Sequence, residues 1–263
     1  MPAEICVVHL VWAPLGTGPL ERFVASYRRH PAGVPHRLLV AYKGFADGDA
    51  IGVADESFAG VEHERVAVES VGFDLASYIL LARAQQASDF CFLNSTSTIL
   101  ADEWLSKLHA PLMSPATGIA GATGSHESTL TSAPWPLRFR YRRHFDAFPN
   151  PHIRTNAFMI SRSLMLDLDW AARSRTQALR LESGRDSITR QVLARGLQAV
   201  VVGRDGASYS PEQWPRSRTF RSGGQANLLI ADNRTRQFSD ADSDARRHLA
   251  RHAWGADGAG SAI

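Results

Sequence analysis

Apolar runs of five to eight residues alternate with segments of helical spacing along residues 5–203. Continuous apolar runs are typical of strands that are buried on both faces, and their alternation with helices indicates a mostly parallel sheet. The sequence therefore predicts an α/β protein whose mostly parallel central sheet is covered by helices on both faces. The predicted strands are residues 5–12, 37–42, 63–68, 89–93, 118–123 and 197–203, and residues 156–168 are predicted to run from a strand into a helix.

The segments between these strands have the apolar spacing of amphipathic helices, which is clearest in residues 19–30. Residues 124–152 are rich in Ser, Thr, Pro and aromatic residues and are predicted to form a long loop. The other predicted helices are residues 72–87, 102–112 and 186–195, with a polar helix within 240–254 and a flexible tail at 256–263.

The composition of the 263 residues narrows the classes of protein to be considered. With 44% hydrophobic and 21% charged residues, the chain has the composition of a globular protein with a substantial core. The formal net charge is only +3, and Arg residues are concentrated in 138–143 and 216–221, which favours local anion binding over a nucleic-acid partner. Cys6 and Cys91 lie inside apolar runs and are expected to be buried thiols.

The sequence has no recognisable targeting or membrane-spanning segment. The apolar run near the N-terminus lacks a preceding basic region, and no apolar stretch approaches the roughly 20 residues that span a bilayer. We therefore expect a cytoplasmic protein. Residues 135–145 mix aromatic residues with Arg, which is typical either of a solvated loop or of a peripheral membrane contact. No feature predicts the oligomeric state.

The ends of the predicted strands indicate where a ligand would bind. In an open parallel sheet, ligands bind beside the carboxyl ends of the strands. We expect that edge to hold the loops at 13–18 and 43–49, together with the polar turn at 94–97 that follows an apolar strand. This turn offers amide and hydroxyl groups but no charged side chain.

Three segments, in this order, resemble nucleotide-sugar glycosyltransferases of the GT-A fold, particularly the family-2-like and rhamnan-synthesis-like members. Residues 72–78, "GFDLASY", with the following helix and strand, resemble the donor side of that fold. Residues 154–168 resemble its acceptor-side strand and helix, and residues 182–203 resemble the helix and final strand that close the site. The resemblance covers roughly residues 5–205.

The resemblance also implies how the chain is organised. One GT-A-like domain is expected over residues 1–255. Its donor side would be residues 5–123, its acceptor side residues 124–205, and a C-terminal lid and helix residues 206–255.

The chain departs from the family's pattern at the polar turn. The family's Asp-x-Asp holds a divalent cation, whereas this chain has Asn94 and Thr96 at those positions, with Ser95 between them. Neutral oxygens are poor substitutes for the carboxylates that a hard cation prefers, but these side chains can donate hydrogen bonds to phosphate or ribose. The prediction is a nucleotide-diphosphate sugar as co-substrate, with no cofactor and no divalent metal. The alternative is that Asn94 and Ser95 only stabilise the turn.

Without a metal, guanidinium groups would have to stabilise the departing diphosphate. Arg216, Arg218 and Arg221 are the candidates, because they follow the last core strand and could fold back as a lid. The alternative is that they form a basic surface loop. Arg154 is a second candidate, and Arg154, Thr155 and Asn156 are expected on the acceptor side by the resemblance.

An inverting transferase also needs a base that takes the proton from the acceptor hydroxyl. The resemblance implies an acidic pair at the head of the penultimate helix, but Gly184 and Arg185 stand in that place, flanked by Glu182 and Asp186. We predict Asp186 as the base and Glu182 as the second choice. The alternative is that Asp186 caps the helix and pairs with Arg190.

Three further residues are expected on the donor side. Asp74 lies in "GFDLASY", where the resemblance implies contact with the donor, although it is nearly as well suited to capping the helix. Lys43 and Ala13 are expected at the sheet edge only because each lies at the end of a predicted strand.

These residues and the resemblance predict an inverting, metal-independent glycosyltransferase that moves a sugar from a nucleotide sugar to a hydroxyl of a glycan or a small molecule. Its expected role is the synthesis of cell-surface polysaccharide or glycoconjugate. The alternative is a transferase-like protein that has lost catalysis and binds nucleotide or glycan, which the altered Asp-x-Asp favours. A Rossmann-type methyltransferase or oxidoreductase is disfavoured, because the first strand-to-helix loop lacks a Gly-rich turn.

Overall fold

The computed structural model of this protein describes residues 4–69, 73–170 and 174–259. Gly72, the first residue of "GFDLASY" and of the predicted helix at 72–87, lies outside these ranges, and so do residues 260–263 of the predicted tail. The strands within the described ranges are β1 Ile5–Trp12, β2 Arg37–Lys43, β3 Glu64–Val68, β4 Asp89–Leu93, β5 Thr98–Ile99, β6 Thr117–Gly121, β7 Gly124–Ser125, β8 His152–Ile153, β9 Ala157–Ser161, β10 Gln198–Val202, β11 Ser208–Tyr209 and β12 Ile230–Ala231.

Helices connect most of these strands and follow the last of them. Several begin with a side-chain cap, which satisfies backbone N–H groups of the first turn. The α-helices of the described residues are α1 Gly18–Arg29, α2 Gly48–Asp55, α3 Asp74–Ala84, α4 Trp104–His109, α5 Thr129–Ser132, α6 Trp135–Tyr141, α7 Arg162–Asp167, α8 Arg175–Ser183, α9 Ile188–Ala194, α10 Asn233–Asp240 and α11 Ser243–Ala259.

A central eight-stranded sheet has the order β11-β10-β6-β9-β4-β1-β2-β3. The pairs β4–β1, β1–β2, β2–β3 and β10–β6 are parallel, whereas β9 runs antiparallel between β4 and β6, and β11 is antiparallel to β10. The predicted mostly parallel α/β sheet is therefore confirmed. Two small antiparallel pairs, β5 with β12 and β7 with β8, lie beside it.

Both faces of the sheet are buried, as the continuous apolar runs predict. Along β1, Val8 and Leu10 belong to one apolar cluster, which includes Tyr78 of α3. Val7 and Val11 belong to the opposite cluster, which includes Phe23 of α1. Alternate residues of one strand thus anchor helices on opposite faces, and this fixes the carboxyl ends of the strands along one rim.

Several predicted boundaries are wrong. The region at 124–152, predicted as a loop, holds α5, α6 and two short strands. The predicted helix at 186–195 begins only at Ile188, because the Ser187 side chain accepts from the backbone N–H of Arg190 and caps it. The tail predicted from residue 256 is helical as far as Ala259.

Two other features of the sequence are visible in the fold. Cys6 and Cys91 are free and buried, as predicted, and burial raises the pKa of the Cys6 thiol to about 12. Within the described ranges, no helix combines the length and the apolar character that a bilayer crossing requires.

Candidate active site

A pocket of about 550 Å³ lies at the carboxyl ends of β1, β2 and β4, where the strand-end rule predicts a ligand site. We call it the rim pocket. It is also lined by the start of α3, the end of α8 and the loop before β9, so that the two halves of the chain meet in it. Its lining residues are Trp12, Lys43, Phe73, Asp74, Leu75, Asn94, Arg154, Thr155, Asn156, Ala178, Leu179, Glu182, Asp232, Asn233 and Arg234.

The turn after β4 is held by the side chain of Asn94. Its Oδ1 accepts from the backbone N–H of Thr96 at 3.0 Å and from the hydroxyls of Thr96 and Ser97, each at 3.1 Å. The Asn94 backbone N–H donates to the carbonyl of Asn156 at 2.8 Å. Asn94 therefore both stabilises the turn, as the alternative interpretation requires, and lines the rim pocket.

Lys43 and Asp74, which the sequence predicts to contact a donor, both line the rim pocket. Burial lowers the pKa of Lys43, an effect that the nearby Asp74 carboxylate opposes. Burial raises the pKa of Asp74, which Lys43 opposes and the charge of Glu182 reinforces. Asp74 is the first residue of α3, and Phe73, not Asp74, occupies the N-cap position. The Asp74 side chain lines the rim pocket.

Glu182 lies on the other side of the rim pocket, near the end of α8. Its Oε1 accepts a hydrogen bond from the Thr155 hydroxyl at 3.1 Å. Glu182 also lines a second pocket of about 570 Å³, bounded by α5, α6 and α11. The rim pocket and this second pocket share a wall made of Arg154, Leu179, Glu182 and Arg234.

Arg154 is fixed in that shared wall. It donates to Asp232 at 2.7 Å and to the Thr123 hydroxyl at 3.3 Å, and its guanidinium carbon lies 4.2 Å from the centre of the Phe220 ring. Burial alone would raise the pKa of Asp232, but the charge of Arg154 and the cap that Asp232 forms with Thr235 lower it. The carboxylate therefore stays charged although it is fully buried.

Asn156 carries an unused donor in the rim pocket. Its Oδ1 accepts from the Thr123 hydroxyl at 2.8 Å, whereas its Nδ2 is buried and has no hydrogen-bond partner among the described residues. Buried donors are nearly always paired. An acceptor oxygen on a bound ligand would satisfy this group.

Arg221 lies in the second pocket rather than in the rim pocket. It is buried, forms an ion pair with Glu127, and stacks on Phe220 with 4.9 Å between the guanidinium carbon and the ring centre. Burial lowers the pKa of Arg221, and Glu127 opposes that effect. Burial would raise the pKa of Glu127, but a hydrogen bond from His252 and the charge of Arg221 lower it to about 2.

The structure does not bring all the predicted site residues to the rim pocket. Asp186 lies outside both pockets and is ion-paired with Arg180, and Arg190 pairs instead with Asp146. The alternative that Asp186 caps the helix and pairs with Arg190 is wrong, because Ser187 forms the cap and Arg190 pairs with Asp146. The other predicted residues that line neither pocket are Ala13, Ser95, Thr96, Arg216 and Arg218, of which Arg216 and Arg218 are exposed.

Eight lining residues of the rim pocket were not singled out from the sequence, and four of them, Trp12, Phe73, Asp232 and Arg234, have aromatic or charged side chains. Trp12 and Phe73 are 42% and 43% exposed at its mouth, an unusual state for large aromatic side chains. Trp12 ends β1, so the strand-end rule could have found it one residue before Ala13. Asp232 and Arg234 follow β12, and a two-residue strand gives no periodic signal in the sequence.

No protein-family model matches the sequence, and a search of curated proteins finds no match. Among solved structures, glucosyl-3-phosphoglycerate synthase from Mycobacterium tuberculosis, in complex with Mn²⁺, UDP and phosphoglyceric acid, is similar, with a TM-score of 0.51 and 16% identity over 76% of this chain and 68% of that one. The same synthase with UDP gives a TM-score of 0.50 and 15% identity over 76% of this chain and 70% of that one. A mannosyltransferase from Pyrobaculum calidifontis, in complex with GDP-Man and Mn²⁺, gives a TM-score of 0.48 and 12% identity over 83% of this chain and 61% of that one.

The likeness to the synthase confirms the predicted GT-A fold. The prediction of no divalent metal is contradicted, because that structure contains Mn²⁺ together with UDP. In the part of the chain that the structure describes, no group of three or more His, Cys, Asp or Glu side chains could hold a metal. Hard divalent ions are often bound through one or two carboxylates and substrate phosphates, and the rim pocket contains the carboxylates of Asp74, Glu182 and Asp232.

Proposed function

We propose that this protein is a glycosyltransferase that uses a nucleotide-diphosphate sugar. The single observation that carries the proposal is the position of Glu182, which lines both the rim pocket and the second pocket. A transferase needs a base located between its donor and its acceptor. The shared GT-A fold is compatible with the same reaction class. A fold indicates the kind of scaffold and does not identify the substrate.

The rim pocket is assigned to the donor. Trp12 and Phe73, exposed at its mouth, offer aromatic faces on which a nucleobase can stack. Lys43 supplies a buried cation at the end of β2, and Asn94 and Asn156 supply amide groups at the ends of the adjacent strands. The unpaired Nδ2 of Asn156 would donate to a ribose or phosphate oxygen of the donor.

Glu182 is assigned the role of general base. Its carboxylate takes the proton from the acceptor hydroxyl while that oxygen bonds to the anomeric carbon of the sugar. The bond from this carbon to the diphosphate oxygen breaks, and the electron pair leaves with the nucleoside diphosphate. The Thr155 hydroxyl, which donates to Glu182 Oε1, holds the carboxylate in place. This single displacement inverts the anomeric carbon.

The charge in the rim pocket favours a divalent ion bound with the donor. Its lining residues, all of them in the described ranges, include the cations Lys43, Arg154 and Arg234 and the carboxylates Asp74, Glu182 and Asp232. These charges balance, so the negative charge of a diphosphate still needs compensation. A divalent ion bound by phosphate oxygens, water and a carboxylate of the pocket such as Asp74 would supply it and would stabilise the departing diphosphate.

Donor binding can be tested by isothermal titration calorimetry with UDP, GDP and dTDP, each with Mn²⁺ or with a chelator. We expect one of the three nucleotides to bind, and Mn²⁺ to strengthen its binding. The double variant Trp12→Ala/Phe73→Ala should weaken that binding by roughly 10- to 100-fold, since stacking on one aromatic side chain contributes about 1–3 kcal/mol.

The matched control is Val53→Ala/Met113→Ala, which also truncates two exposed apolar side chains but lies away from the pocket. Equal nucleotide binding by both double variants would overturn the assignment of the donor pocket. Binding of a nucleotide without any turnover of its sugars would instead support the alternative, a binding protein that has lost catalysis.

A further inference from the structure

Helix α6 is largely exposed, which is unusual for a helix that carries three large apolar residues. None of its residues is buried. Trp135 is 76% exposed and Phe139 is 64% exposed, and among the described residues only Met113 and Val53 are comparably exposed large apolar side chains. Burying such side chains is favourable because it removes apolar surface from water. The surface of α6 is therefore suited to a further contact.

The two faces of α6 differ. Leu137 and Tyr141, four positions apart, line the second pocket. Trp135, Phe139 and Arg142 recur at intervals of four and three residues and so share the other face. The guanidinium of Arg142 confirms this, because its carbon lies 4.2 Å from the centre of the Phe139 ring.

The charge around this outer face has one sign. Arg140, Arg142 and Arg143 are exposed, and residues 134–145 contain no Asp or Glu. Arg138 has a different task, since it donates to the carbonyls of Ala133 and Thr131 and holds α6 against α5. Aromatic side chains interleaved with exposed Arg are the pattern of helices that lie in the interface of an anionic membrane.

We propose that the outer face of α6, formed by Trp135, Phe139, Arg140, Arg142 and Arg143, docks onto an anionic lipid surface. The two rings enter the headgroup region, and the three guanidinium groups bind lipid phosphates and carboxylates. A lipid surface fits better than a protein partner because the helix has no buried residue and the exposed charges beside its rings are all positive, whereas protein hot spots occupy well-packed pockets. This binding requires neither a donor nor turnover, so it stands apart from the proposed transferase activity.

The test is co-sedimentation of the full chain with two kinds of vesicle. One kind is phosphatidylcholine alone, and the other contains roughly 30% phosphatidylserine, so that its surface charge is close to that of an anionic membrane leaflet. We expect binding only to the anionic vesicles, weakened by added salt. Arg140→Gln/Arg142→Gln/Arg143→Gln should weaken it by roughly 100-fold, since each cation contributes about a factor of five. Trp135→Ala/Phe139→Ala should weaken it as well.

The matched controls are Arg29→Gln/Arg83→Gln/Arg251→Gln, which removes three exposed Arg residues elsewhere, and Val53→Ala/Met113→Ala. The controls should bind like the wild type. Equal binding by the α6 variants and their controls would overturn the proposal, and so would equal binding to neutral vesicles. Sedimentation velocity tests a third outcome, in which the chain does not bind vesicles but associates with itself. If Trp135→Ala/Phe139→Ala abolishes that self-association, the face belongs to a contact with a second copy of the chain, and the proposal is overturned.

Discussion

Glu127 illustrates how single residues keep their charge in the interior of this protein. Its carboxylate binds Arg221 and His252, and these partners hold its pKa at about 2, below the ordinary value of 4.5. A lowered pKa in the folded state means that the group stabilises the fold above its unfolded pKa. That stabilisation is lost as the pH falls from about 4.5 towards 2.

We therefore predict that Glu127→Gln flattens the acid side of the stability profile. Between pH 4.5 and pH 2, the wild type should lose about 3 kcal/mol of unfolding free energy because this carboxylate is protonated. The variant has no carboxylate at this position, so its unfolding free energy should not show this loss. Urea denaturation at a series of pH values measures it. Glu62→Gln, an exposed Glu, is the control and should keep the wild-type slope. A wild-type slope in Glu127→Gln would contradict the assignment.

At the same scale, the sequence predicts Asp186 as the base and Glu182 as the second choice, whereas of the two only Glu182 lines the rim pocket. Glu182 and Asp186 are four residues apart, so a continuous helix would have placed both on one face. The chain instead ends α8 at Ser183, and α9 begins only at Ile188. This break turns Asp186 towards Arg180 and leaves Glu182 in the pocket wall. Local spacing could not reveal it, because the cap at Ser187 has no periodic signature.

At the scale of elements, the N-terminus of α9 gives a test of that boundary. Ser187 accepts the backbone N–H of Arg190 and is fully buried. We expect Ser187→Ala to lower the unfolding free energy by about 1 kcal/mol, as for other lost caps. Asp186→Ala removes only a partly exposed ion pair and should cost less than about 0.5 kcal/mol. Thermal denaturation of both variants checks this, and the reverse order would mean that Asp186 is the cap.

The strand β7 is held close to the C-terminal segment by a glycine. A Cβ on Gly124 would lie 2.6 Å from the Trp214 ring, which is fully buried. We predict that Gly124→Ala destabilises the fold by about 1–3 kcal/mol, because the packed ring has no space to move. The measurement is the midpoint of urea unfolding.

The control for that variant is Gly52→Ala in α2, where a Cβ would meet no atom within 4 Å. There the same change should stabilise the protein by roughly 0.5–1 kcal/mol through helix propensity. Equal effects of the two substitutions would contradict the close approach of β7 to Trp214.

The long elements could be predicted from the sequence, and the short ones could not. Apolar runs such as 5–12 and 89–93 are strands within a residue of the predicted bounds, because burial on both faces leaves a continuous signal. By contrast, α5 and α6 sit in a region predicted as a loop, since helices of four and seven residues carry too few turns for periodicity. The antiparallel direction of β9 depends on tertiary connections, which a local pattern does not contain.

At the scale of the whole molecule, the two halves of the chain meet at Glu182. The strands of the N-terminal half supply Lys43 and Asn94, the elements between residues 124 and 205 supply Thr155 and Glu182, and the C-terminal segment closes the pocket with Asp232. The predicted lid arginines Arg216 and Arg218 stay outside it, and Arg221 lies in the neighbouring second pocket. The part played by the C-terminal segment therefore depends on packing, which the local sequence did not show.

The central claim is that Glu182 is the base that activates the acceptor. The most direct measurement is the rate at which the wild type, Glu182→Gln and Asp186→Asn release nucleoside diphosphate from the sugar nucleotide that binds, at saturating donor, with Mn²⁺ present. We predict that Glu182→Gln lowers kcat by about 10²–10⁴-fold with the donor Kd unchanged, and that Asp186→Asn keeps the wild-type rate. A fully active Glu182→Gln, or a comparable loss in Asp186→Asn alone, would contradict it.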